Sequence, residues 1–195
     1  MKELPLGKVY QLIEPGPVVT LTTAQRGRAD IMTMSWHMMV DFEPPLIACV
    51  VSEADYSFAA LRTTKECVIA IPAVGLASKV VKVGNSSGRD IDKFAALGLT
   101  PLPAEQVKAP LVKECFANIE CRVTNTRLVN RYNLFILEGV KAWIDPSRSR
   151  PRPSTTTATA RSSSTARPSS SNRRCPEPRT RDEPETAGSR GLTRS

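Results

Sequence analysis

The hydrophobic and polar positions of this chain follow strand and helix periods from about residue 18 to Ile144, and neither period beyond. Val18 to Thr23 is rich in β-branched residues and lies between Gly16-Pro17 and the Arg26-Gly27-Arg28 turn, so it predicts a strand. Asp30 to Ser35 is its expected hairpin partner, the same apolar run continuing to Trp36 and His37. Pro44-Pro45 breaks the chain, and Leu46 to Val51 is apolar throughout, as in a strand buried on both faces. Ser57 is placed to cap a helix of Phe58 to Thr64. Val68 to Ile71 predicts a buried strand ending at Pro72. Leu76 to Val83 predicts a helix, Gly84 to Gly88 a loop, and Asp90 to Leu97 a short helix stopped by Gly98.

The β signal is clearest in the second half. From Cys115 to Val123 the odd positions are Cys, Ala, Ile, Cys and Val, while Asn118, Glu120 and Arg122 point the other way. A turn near Asn130-Arg131 leads into Leu134 to Ile144, largely apolar on both faces, which places that strand in a barrel wall or against a second subunit. Six or so strands with helices between them predict a mainly β fold with α insertions, an antiparallel barrel. A homodimer would account for the surplus apolar face.

Charge changes the picture only once the chain is divided. Residues 1–145 hold 16 basic and 15 acidic side chains of the 27 and 19 in the whole, which leaves 11 and 4 for residues 146–195. The basicity is therefore a property of the tail, and nucleic acid is not the partner it suggests for the body. Residues 1–145 suffice for one ordinary domain with a real core. The five cysteines include no C-x-x-C pair, and Cys49 and Cys67 lie in apolar runs as small core residues. No signal-peptide stretch or membrane span is evident, so a cytoplasmic protein is expected.

Several groups could carry chemistry. Thr33 and Ser35, two apart on a strand, point to one side with Trp36 beside them. Singly they read better as ordinary strand residues and a core indole. Ser52, Tyr56 and Ser57 lie where a strand runs into a helix, whose unpaired amides favour an anion or simply need a cap. Gly84 to Lys93 carries Arg89 and Lys93, suited to a phosphate or to surface ion pairs. His37 is the only histidine, which removes metal sites built on several histidines and leaves no spare partner for a Ser-His-Asp arrangement; its two readings are a proton donor beside a bound ligand and, the favoured one, a packed strand-end residue. No G-x-G-x-x-G follows a strand, so no dinucleotide-binding domain is present.

Taken in order, Met32-Thr33-Met34-Ser35-Trp36-His37-Met38, Phe42-Glu43-Pro44-Pro45-Leu46, Tyr56-Ser57-Phe58, Gly84 to Phe94 and Asn130-Arg131-Tyr132-Asn133 resemble the flavin reductase-like family. The resemblance spans most of residues 10–145 and is strongest to the branch labelled flavoredoxin or flavin reductase. It implies an FMN-binding split β-barrel using NADH or NADPH as co-substrate and passing electrons to free flavin or a small redox partner. It also implies flavin contacts from Thr33, Met34, Ser35, Trp36, Ser52, Tyr56, Ser57 and Lys93, with Asn85 and Arg89 as further candidates. No protein acid, base or metal is required by that chemistry. The alternatives are the reductase component of a two-component flavin monooxygenase, a non-catalytic flavin-binding or electron-carrier module, and a nucleic-acid binder acting through its basic tail.

Residues 146–195 contain no Val, Ile, Phe, Tyr, Trp or Lys and are dominated by Ser, Thr, Pro and Arg. Such a segment buries too little apolar surface to offset its ordering entropy, so disorder is expected. A genuine basic tail and an inert linker are two readings; a frame-shifted translation of a GC-rich gene is the favoured one. Thr155 to Ser162, written in GC-rich codons and shifted by one nucleotide, reads HHHGDGTF. That string resembles the His-rich turn and final hairpin of the family, so the body would lack its last strand or hairpin. The expected finding is a single-base insertion or deletion near codons 147–154; an unbroken frame on resequencing, with the written tail seen by intact mass, would refute it.

Overall fold

The computed structural model describes residues 17–148. Strands β1 (Val19–Gln25) and β2 (Arg28–Met34) form the expected hairpin, with Val19 opposite Met34 and Gln25 opposite Arg28. Arg26 and Gly27 turn it with φ of 52° and 77°, the handedness that matches strand twist. The apolar run does not continue as one strand to His37. The His37 amide donates to Ser35 O at 3.1 Å, which turns the chain, and Trp36 O accepts from the Val50 amide at 3.0 Å. From there β3 (His37–Phe42) and β4 (Pro45–Val50) make a second hairpin.

The remaining elements are helix α1 (Tyr56–Thr64), β5 (Glu66–Pro72), a 3-10 turn (Val74–Leu76) leading into α2 (Ala77–Gly84), α3 (Lys93–Leu97), the short pair β6 (Pro101–Leu102) and β7 (Leu111–Val112), β8 (Cys115–Asn125), α4 (Val129–Tyr132) and β9 (Leu134–Ile144). The turn expected near Asn130 is thus one helical turn. Helix α3 starts three residues later than the pattern suggested. The Asp90 and Ile91 amides turn back to Ser87 O, and the Asp92 carboxylate takes the Phe94 and Ala95 amides at 3.0 and 3.2 Å as its cap. Gly98 ends the helix at φ 58°, as expected.

Seven strands form one antiparallel sheet in the order β2-β1-β5-β8-β9-β4-β3. Its outermost members, β2 and β3, are joined by Ser35 and Trp36 alone. Three peptide steps reach at most about 11 Å, whereas a flat seven-stranded sheet holds its edges roughly 29 Å apart. The sheet therefore curls until its edges meet, giving the split barrel. Leu21, Met34, Cys49, Leu61, Phe135 and Leu137 fill its interior, with the rings of Phe58 and Phe135 edge to face at 5.6 Å. A second apolar cluster of Ile31, Val83, Phe94, Leu99 and Val112 seats α2 and α3 against β2. Cys49, Cys67, Cys115 and Cys121 are all buried and free; burial pushes the Cys49 and Cys115 thiols up to about 12, so they are inert packing groups. Among the described residues no helix is long and apolar enough to cross a membrane.

Of Asn118, Glu120 and Arg122 on the polar face of β8, only Arg122 is solvated. Asn118 and Glu120 are buried beneath the segment 101–112, and both of them hold it. Asn118 Oδ1 accepts the Val112 amide at 2.8 Å and its Nδ2 donates to Val112 O at 3.2 Å. The Glu120 carboxylate accepts three successive amides, Glu105 at 3.2 Å, Gln106 at 2.5 Å and Val107 at 3.2 Å, and the Trp143 indole at 2.7 Å. Thr22 Oγ1 adds a bond to Pro110 O at 2.6 Å. This strap also explains the second dry face of β9, because Val140 and Trp143 pack against its Val107, Ala109 and Leu111.

Desolvation raises the Glu120 carboxyl, but the indole and the three amides outweigh it and hold the group below the usual carboxylate range. A depressed folded pKa adds stability that is complete above the unfolded value of about 4.3 and is lost as pH falls through the folded one. Glu120→Gln turns an amide donor toward donors and should cost about 3 kcal/mol at neutral pH. Denaturant melts should show that cost shrinking below pH 4; a cost that does not change with pH would contradict the charge-based account.

Candidate functional site

A cleft of about 250 Å³ lies between β2, the first turn of α1, the end of α2 and the loop from α2 to α3. Its floor is charged. Asp30, Ser57 and Lys93 are each at most 5% exposed. Ser57 Oγ donates to Asp30 Oδ2 at 2.7 Å, Lys93 Nζ donates to Ile31 O at 2.7 Å, and Lys93 Nζ lies 3.8 Å from Asp30 Oδ1. Burial pushes the Lys93 ammonium below its ordinary pKa, opposed by Asp30 and Asp55. Asp55, at the mouth, is pushed up by burial against the Ser52 amide, Lys93 and Arg89.

The loop closes tightly on this floor because two positions have no side chain. A Cβ on Gly84 would lie 3.3 Å from the Cβ of Thr33, and one on Gly88 would overlap Asp30 Oδ1 and Tyr56 Cδ1. Arg28 donates to Gly88 O and stacks on the Tyr56 ring at 5.3 Å. Thr33 Oγ1 donates to Val80 O at 2.7 Å, tying β2 to α2. Arg89 reaches back to Ala54 O at 3.4 Å.

Of the expected contact residues, Thr33, Tyr56, Ser57, Arg89 and Lys93 line the cleft, and Met34, Ser35, Trp36, Ser52 and Asn85 do not. Met34 is 3% exposed and turned into the barrel, since its neighbour Thr33 faces α2. Ser35 and Trp36 form the link between the sheet's edges, with Trp36 45% exposed. Ser52 is exposed and its hydroxyl takes the Ala54 amide at 3.2 Å; Asn85 is exposed at the end of α2. Two readings need correction. Ser57 does not cap α1: Asp55 occupies the cap position, and Ser57 is the second helical residue with its hydroxyl spent on Asp30. Lys93 is no loop cation but a buried residue opening α3. Sequence reasoning passed over Asp30 and Asp55 as lining residues, although a carboxylate directly before Ile31-Met32 in an apolar strand was a visible signal.

A site of this volume is smaller than the 300–1,000 Å³ usual for whole ligands. It fits one end of an elongated cofactor. An ammonium has three N–H donors, and among the described residues only Ile31 O takes one from Lys93. The unused donors fit an incoming group rich in acceptor oxygens, as FMN has at both its phosphate and its pyrimidine ends.

The family model described as "Flavin reductase like domain" matches residues 13–163. An uncharacterized protein of Archaeoglobus fulgidus is 32% identical over 111 residues, which cover 57% of this chain and 63% of that protein, less than two thirds of its length. The solved flavoredoxin of Desulfovibrio vulgaris (Miyazaki F) aligns at TM-score 0.67 and 31% identity over 75% of this chain and 78% of its own. The FMN-binding domain of a flavin reductases-like enzyme from Shewanella baltica OS155 aligns at TM-score 0.64 and 26% identity over 73% and 75%.

Proposed function

The chain belongs to the flavin reductase-like family, and on that premise we propose that it binds FMN, accepts hydride from NADH or NADPH and passes the electrons to free flavin or a small redox partner. The observation that carries the reading is the buried Lys93 ammonium with unused donors on the floor of a cleft, beside the first turn of a helix. FMN, when bound, supplies the hydride chemistry; the chain's part is to hold and orient it. Lys93 and Arg89 bind acceptor oxygens, Tyr56 walls the mouth, and Thr33 keeps its hydroxyl lone pairs toward the cleft while its proton goes to Val80 O. Ser57 acts indirectly, through Asp30.

The reading predicts a yellow protein, or a colourless one that takes up added FMN, whose flavin absorbance bleaches on anaerobic mixing with NADH or NADPH. FMN uptake without bleaching by either nucleotide would leave a carrier and remove the reductase; no uptake would remove the flavin site.

A homodimer is part of the same proposal. Edge strand β3 and the residue before it expose Trp36 at 45%, Met38 at 63%, Met39 at 50%, Val40 at 49% and Phe42 at 86%. A long apolar edge is a liability that a second copy would cover. Phe42→Asp should halve the mass seen by analytical ultracentrifugation; a wild type already monomeric at micromolar concentration would refute it.

A further inference from the structure

We propose that Asp30 is a positioning residue that keeps Lys93 cationic and fixed on the floor of the cleft, ready for the oxygens of a bound flavin. The inference deepens the flavin reading and rests on it for the identity of the ligand. Asp30 divides its two oxygens. Oδ2 takes the Ser57 hydroxyl at 2.7 Å, which sets the carboxylate's orientation, and Oδ1 faces Lys93 Nζ at 3.8 Å. The second distance is an ion pair too long for a hydrogen bond. Asp30 therefore supplies counter-charge without consuming a donor that a ligand needs. The loop prevents it from moving away, because Gly88 packs on Oδ1 with no room for a Cβ.

Lys93 needs this help. Burial disfavours its charged form. The other charged and titratable groups around it are Asp55 from the turn before α1, Tyr56 in the first turn of α1, Arg89 from the loop, and Arg28 on β2, which is occupied with Tyr56 and Gly88 O. Asp55 is the lesser counter-ion: its carboxylate accepts the Ser52 amide at 3.1 Å, and its own ionisation is disfavoured by burial. Asp30 alone joins Ser57 and Lys93.

The test uses the full chain in three forms: wild type, Asp30→Asn, and the double variant Asp30→Asn with Lys93→Met. The double variant leaves no unpaired buried charge, so it keeps the fold. First, side-chain carbon NMR follows Lys93 without added flavin, its resonance identified by its loss in the double variant. The midpoint should fall in Asp30→Asn; an unchanged midpoint overturns the proposal whether or not FMN binds. Second, FMN affinity is measured by fluorescence quenching from pH 6 to 9. The ratio of the Asp30→Asn Kd to the wild-type Kd should rise severalfold as pH passes through the lowered Lys93 midpoint that NMR reads in the variant, the range being extended upward to include it. Parallel pH profiles overturn the proposal, since a merely structural aspartate would weaken binding equally at every pH. Should Asp30→Asn not fold, wild type and double variant decide: a constant affinity ratio supports the proposal, and convergence toward pH 9 overturns it. A wild type that takes up no FMN removes the flavin reading, while the NMR midpoint still judges the pairing of Asp30 with Lys93.

Discussion

Two residues, Ser35 and Trp36, connect the strands at opposite edges of a seven-stranded sheet, and the rest of the architecture answers to that tie. A flat sheet cannot satisfy it, so the strands curl and enclose Leu21, Met34, Leu61, Phe135 and Leu137. Curling also fixes where function can sit. With its inner face committed to the core, β2 has its outer face left for α2, α3 and the loop between them, and the cleft opens along that seam.

The same domain buries charge in two different ways. Glu120 is saturated: four donors meet its two oxygens, its charge is stabilised in place, and nothing remains for a ligand. Lys93 is unsaturated. One carbonyl takes one of its three donors, its counter-ion stands off at 3.8 Å, and the deficit faces a cleft. Similar burial gives a structural pin in one case and a group with donors to spare in the other. The difference lies in how many partners the fold supplies.

Much of the barrel was legible because its signals are local. The alternation from Cys115, the apolar run from Leu134 to Ile144 and the turn at Arg26-Gly27 each declare their element within a few residues. The break at Ser35 was not legible, since an apolar run has the same period whether it forms one strand or two. The strap over β8 has no periodicity of its own and is ordered by side chains on another strand. In the site, Lys93 was named as a flavin contact on the resemblance and not on residue chemistry, and the structure shows it lining the cleft. Its setting depends on Ile31, 62 positions away, and Ser57 meets Asp30 across 27. Those meetings are products of register, which composition and spacing do not encode.

The three amides on Glu120 have a consequence for motion. Glu105, Gln106 and Val107 lie outside any strand ladder, and loop amides of that kind ordinarily trade their hydrogens with water quickly. Here release requires breaking bonds to a fully buried carboxylate. The strap should therefore exchange its hydrogens as slowly as the strands beneath it, opening with the barrel as one cooperative unit and not as a loose flap.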